Sequence, residues 1–167
     1  MPLYDGPASN LQRQRAARPL WRVVDEGSVW VAPPYAESWS EAGRVLVDVA
    51  AASRQAPAWR VGDRLAVEVP QLGGVRKWTV ERIDEGQDGR SRSFRGWIDG
   101  DQRWRIVVTV GPGRVLAYID TPKGPVELMG NARLAWLLPS SSMMAGIDFS
   151  QPDYILPKRR ERDSETR

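Results

Sequence analysis

Apolar and polar positions alternate with a period of two over much of this chain. Val45, Val47 and Val49 alternate with Leu46 and Asp48, which marks a strand with one strongly buried face. Leu65, Val67 and Val69 alternate with Ala66 and Glu68 in the same way, after a turn at Val61-Gly62-Asp63. Beyond Gly73-Gly74, residues 75–83 continue as a strand with its charged residues outward. The densest signal is the stretch from Phe94 to Pro139. Four turn signals cut it into short apolar runs: Asp99-Gly100-Asp101, Gly111-Pro112-Gly113, Thr121-Pro122-Lys123-Gly124 and Gly130-Asn131. Strand formers between Gly-centred turns at near-regular spacing predict an antiparallel meander.

The remaining segments fill in around these strands. Leu20–Val24 and Ser28–Val31 flank Asp25-Glu26-Gly27 and read as a hairpin, ended by Pro33-Pro34 because proline cannot donate to a ladder. Residues 35–42 have room for one helical turn. Ala50–Ala56 favours a short helix that stops before Pro57. Residues 84–92 form a polar, Gly-containing loop, by composition the most mobile internal segment. Ser140–Gly146 lacks strand alternation and reads as a flexible surface loop or a Ser-capped short helix. The expected fold is all-β: an antiparallel meander, sandwich or partly open barrel of about ten short strands with one or two short helices. The expected organisation is a flexible arm over 1–18, one β domain over 19–157 with halves at 19–83 and 92–139, and a disordered charged tail over 158–167.

Composition removes functions more than it suggests them. The chain has 167 residues, with 41% hydrophobic and 27% charged content, and so can build one ordinary core. It has no His and no Cys. A thiol nucleophile, a disulfide framework, a Cys/His zinc site and a Ser-His-Asp triad are therefore excluded within it. Eight Trp against two Phe is unusual, and Trp suits half-buried sheet faces and binding surfaces. The net charge of +3 is unevenly spread. Residues 11–22 hold four Arg and no acid, residues 158–167 carry +2, and residues 23–157 carry −2. A nucleic-acid binder concentrates positive charge on its folded surface, so this distribution argues against nucleic acid as the partner. There is no apolar run long enough for a signal peptide or a membrane span. The expected location is periplasmic or secreted if a signal has been removed, and cytoplasmic otherwise.

Candidate chemistry is sparse. The Gly-rich turns match no phosphate-loop pattern followed by a helix. Asp84, Glu85, Asp88, Asp99 and Asp101 fit turn formation, with no twelve-residue calcium loop among them. Ser140, Ser141 and Ser142 have no His to activate them. No catalytic residue, metal ligand or cofactor is expected. Trp97, Trp104 and Tyr118 lie among Arg95, Arg103 and Arg105, a mixture able to stack on bases or peptide groups. Alternation puts Trp104 with Ile106, Val108 and Val110 in the core, and Arg103 and Arg105 on the opposite face with Val107 and Thr109.

Several segments resemble the prodomains of bacterial secreted zinc metalloproteases, reprolysin-like and related. Ser93–Gly100 is similar to their "s-w-x-G-x-v-x-G" strand and turn. Residues 107–119 and Thr121–Leu128 are similar to two further strand-turn segments. Gly62–Pro70 and Trp78–Ile83 fit the strands before them, and Pro152–Pro157 looks like the exit toward a peptidase. The chain has no H-E-x-x-H, so the peptidase itself is absent from it. The resemblance implies a non-catalytic β module that binds a protein partner: a metalloprotease, or a secreted or surface assembly. The residues expected to carry binding are Arg95, Trp97, Arg103, Arg105 and Tyr118 on the sheet, with Ser141, Ser142, Met143 and Met144 after it. Two other readings compete: a polyanion- or nucleic-acid-binding module using the basic ends and the Arg-rich strand faces, and a glycan-active enzyme using Asp and Glu alone.

Overall fold

The computed structural model describes residues 19–29, 32–147 and 150. Among them are nine strands: β1 (Arg22–Val24), β2 (Val45–Asp48), β3 (Arg64–Val69), β4 (Gly74–Glu85), β5 (Arg92–Ile98), β6 (Arg105–Gly111), β7 (Arg114–Ile119), β8 (Val126–Asn131) and β9 (Leu134–Pro139). Two short helices accompany them, α1 (Ala50–Gln55) and α2 (Ser140–Met144). The runs predicted between Phe94 and Pro139 are β5 to β9. The expected arm and tail, and Pro152–Pro157, lie outside the described residues.

The strands form one antiparallel sheet in the order β1-β2-β9-β8-β7-β6-β5-β4-β3. It curls into a nearly closed barrel, so the two edge strands meet. With nine alternating strands, β1 and β3 point the same way and their contact is parallel. No continuous ladder forms there. The Leu20 N–H donates to Ala66 O at 2.7 Å, Trp21 Nε1 donates to Glu68 O at 2.8 Å, and the Val23 N–H donates to the Glu68 carboxylate at 2.9 Å. These bonds satisfy edge groups that would otherwise invite pairing with another chain.

The expected hairpin at Asp25-Glu26-Gly27 needs correction. β1 pairs with β2, Arg22 opposite Asp48, and Glu26–Ser28 is a 3₁₀ turn whose preceding Asp25 accepts the Gly27 N–H at 3.0 Å. Trp30 and Val31 lie outside the described residues. Residues 49–63 cross one end of the barrel from β2 to β3. There α1 plugs the opening: the Ala52 N–H reaches Leu20 O, and Ser53 Oγ donates to Ala132 O at 2.7 Å.

The interior is filled by side chains. Trp21, Trp78, Phe94, Ile106, Ile119 and Leu137 are fully buried, and Trp59 packs edge-on against both Trp78 and Phe94. Each aliphatic or Phe side chain so buried contributes roughly 1.5–3 kcal/mol. A second apolar layer lies outside the barrel wall. Leu46, Leu134, Trp136 and Leu138 face outward from β2 and β9 and are covered by Tyr35, Trp39 and Met143. Arg44 sits over the rings of Tyr35 and Trp136, 4.7 and 4.6 Å from their centres, and pairs with Glu26 and Glu41.

A bulge sets the phase of β4. Its register with β5 shifts between Val80 and Arg82, which keeps Ile83 against the core while Arg82 and Asp84 turn outward. Gly96 lies opposite Val80, where a Cβ would come within 1.8 Å of Thr79 O and 2.7 Å of Trp78 Nε1. Gly96→Ala should therefore lower stability by at least ~1–3 kcal/mol in urea unfolding. Gly27→Ala, where the nearest atoms are 3.6 Å away, should stay within about 0.5 kcal/mol.

Candidate partner-binding face

The outward side of β5, β6 and β7 carries four of the nine residues singled out from the sequence, Arg95, Trp97, Arg105 and Tyr118. Trp97 stands opposite Arg105, Arg95 opposite Val107, and Val107 opposite Tyr118. Alternation in the strands leaves Phe94, Ile98, Ile106, Val108, Ala117 and Ile119 in the core and brings these side chains together on the outside. Thr79, Leu116 and Met129 flank them and are half-buried. Thr109 and Ser93 share a hydrogen bond of 2.8 Å between their hydroxyls.

Charge is arranged along the margins of this face. Arg95 and Arg82 stand opposite each other, and Asp84 separates the like charges: Arg82 lies 2.7 Å and Arg95 3.1 Å from its carboxylate oxygens. Arg105 stacks over the Tyr118 ring at 5.6 Å and lies 3.5 Å from Asp120. The Asp120 carboxylate beside it pushes the Tyr118 phenol above its ordinary value, with burial adding to the effect. About half of the Arg95 and Arg105 side-chain surface is solvent-accessible, 52% and 53%. The result is an aromatic and aliphatic strip with two accessible guanidinium groups, a composition enriched at protein interfaces.

Arg103 is not on the strand face predicted for it. It lies in the turn before β6, held by Asp101 at 2.7 Å and set over the Trp104 ring. Trp104 itself packs against the core, as its alternation implied.

Ser140–Met144 is a helix, α2, but no serine caps it: Pro139 holds the cap position and makes no side-chain bond. Nor is it a free surface element. Ser142 is buried and its hydroxyl donates to Ala42 O at 2.6 Å, while Met143 covers the outer apolar layer. Ser141 and Met144 point outward, Met144 at 50% exposure. Residues 86–91 are likewise pinned. The Asp88 carboxylate accepts from the Arg90 and Ser91 N–H groups and the Ser91 hydroxyl, and the Gly86 N–H donates to Ser91 O. Leu116 and Met129 were missed because each reads as one more core position until the strand phase is known.

Among the described residues no group of three or more His, Cys, Asp or Glu side chains could hold a metal ion. No helix among them is long and apolar enough to cross a membrane.

A family model described as the BamI lipocalin-like domain matches residues 18–143. A solved structure titled "Structure of a chaperone-substrate complex" has a similar fold, with a TM-score of 0.53 and 16% identity over 69% of this chain and 95% of that one. No curated protein matches. The family match overturns the resemblance to metalloprotease prodomains. The Gly-turn-strand segments that carried it belong to an up-and-down barrel, and any such meander repeats the same local pattern.

Asp101 provides a test of the local electrostatics. Hydrogen bonds from the Arg103 guanidinium, and then from its N–H, hold the carboxyl at about 2. A folded-state value below the unfolded one stabilises the fold above the unfolded pKa of roughly 4, and that contribution disappears as pH falls toward 2. Carbon-detected NMR titration should find Asp101 still ionised at pH 3; a midpoint in the ordinary Asp range would show that the turn is not held as described.

Proposed function

The chain belongs to the BamI lipocalin-like domain family, and on that premise we propose that it is a non-catalytic module that binds a protein partner within the BAM complex. The observation that carries this reading is the outer strip of β5 to β7, where Trp97, Val107 and Tyr118 lie between accessible Arg95 and Arg105. Aromatic and arginine side chains dominate the energetics of protein interfaces, and a half-buried Trp beside Arg provides a rigid anchor with a polar rim. A filled barrel interior directs recognition to the outer wall. Arg103 and the exposed Ser141 and Met144 extend the reading to the rim at the end of the barrel where α2 lies.

The test is affinity capture from the source cells. The tagged wild-type chain should recover BAM components. Trp97→Ala combined with Arg105→Glu should reduce recovery by at least about tenfold while leaving the circular dichroism spectrum and thermal midpoint close to wild type. Wild-type capture without any BAM component, or full retention by the double variant, would sink the proposal.

A further inference from the structure

A second site lies at the end of the barrel plugged by α1. A pocket of about 460 Å³ opens between the 3₁₀ turn after α1, the β4–β5 loop and the β6–β7 turn. Ala56, Pro57, Val110 and Pro112 line it together with Ser53, the Gly111 backbone, and the two arginines Arg90 and Arg92. The volume falls in the range of small-ligand sites, and apolar walls with a few convergent polar groups are their usual composition.

The two arginines differ. Arg92 is fixed: its Nε donates to Glu85 at 2.8 Å, its Nη1 lies 3.3 Å from Pro57 O, and its guanidinium sits over the Phe94 ring at 5.2 Å. Glu85 neutralises it. The Arg90 guanidinium forms no ion pair among the described residues: the nearby Asp88 carboxylate, still ionised, is turned to the Arg90 and Ser91 N–H groups and the Ser91 hydroxyl. Arg54, Arg60, Arg114 and Arg133 are exposed at the same end, while Asp48 and Asp63 there accept from the N–H groups of Ala50 and Arg60. Arginines outnumber the acids at this end even with Asp48, Asp63, Glu85 and Asp88 ionised, and the pocket combines the unpaired Arg90 guanidinium with an apolar lining.

We propose that this pocket binds the C-terminal carboxylate of a polypeptide whose last side chain is apolar. One uncompensated guanidinium matches a monoanion, and its planar fork suits a carboxylate. The apolar lining takes the side chain. Because Phe94, Val108, Val115 and their neighbours fill the barrel, a long acyl chain has no route inward, so a peptide end fits better than a fatty acid. The site is separate from the outer strip and does not rest on the function proposed for it.

Fluorescence anisotropy on the full chain tests this with a labelled short peptide ending in Ala-Leu, its C-terminal amide twin, and octanoate as competitor. The acid should bind at least about tenfold more tightly than the amide, and Arg90→Gln should cost a similar factor. Glu85→Gln, which releases the Arg92 charge, should tighten binding, and Trp97→Ala should leave it unchanged. Equal binding of acid and amide, or no loss in Arg90→Gln, would overturn the proposal. So would octanoate binding at this pocket without peptide binding.

Discussion

The parallel contact between β1 and β3 is the constraint on which the barrel depends. Nine strands in strict alternation leave two edges pointing the same way, and parallel edges of three and six residues cannot form an antiparallel ladder. Leu20, Trp21 and Glu68 supply discrete bonds in its place. Trp21 does most of this, because one side chain fills the interior and gives its indole N–H to the β3 backbone. The same corner anchors α1 through the Ala52 N–H, so the plug and the seam share residues. Losing that corner would open an edge and uncover the floor together.

Much of the fold was legible because its signals are local. The alternation over Val45–Val49 and Leu65–Val69 and the turns between Phe94 and Pro139 mark strands without reference to anything distant. Long-range relations were not. Nothing near Leu20–Val24 announces that its partner is β2, some twenty residues on, rather than the segment after Gly27. The bulge at Glu81 changes the phase of β4 against β5, and the close approach that requires Gly96 lies on the facing strand, out of reach of any local pattern. The serines of α2 read as polar surface, yet Ser142 is buried, its hydroxyl donating a hydrogen bond to the Ala42 carbonyl a hundred residues away. The candidate face was half legible: strand phase placed Arg105 outward with Val107, whereas Arg103, one turn earlier, is captured by Asp101.

The two faces of the wall divide the work of the barrel. Its inner side holds the core. Its outer side is capped over β2 and β9 by Tyr35, Trp39 and Met143, and left accessible over β5 to β7. The capped part shows how this wall accepts a covering layer: aromatic edges on Trp136, with Arg44 stacked at the margin. Tyr118, Arg105 and Trp97 repeat that combination of residue types two to four strands farther round, with no such layer among the described residues. The general pattern of Gly turns carries no trace of this contrast between a covered and an accessible part of one wall.

The placement of the chain's entry and exit has a mechanical consequence. Residue 19 approaches β1 at the plugged end, whereas the chain leaves through α2 at the other end. Tension applied between these points runs along the strand axes. Ladder hydrogen bonds lie across that direction, so β1 and β9 would be loaded in shear rather than unzipped one at a time: β9 shares the force over its ladders with β2 and β8, β1 over only the three residues that pair with β2. The three-residue β1 is therefore the attachment point that yields first, and the seam it forms with β3 yields with it.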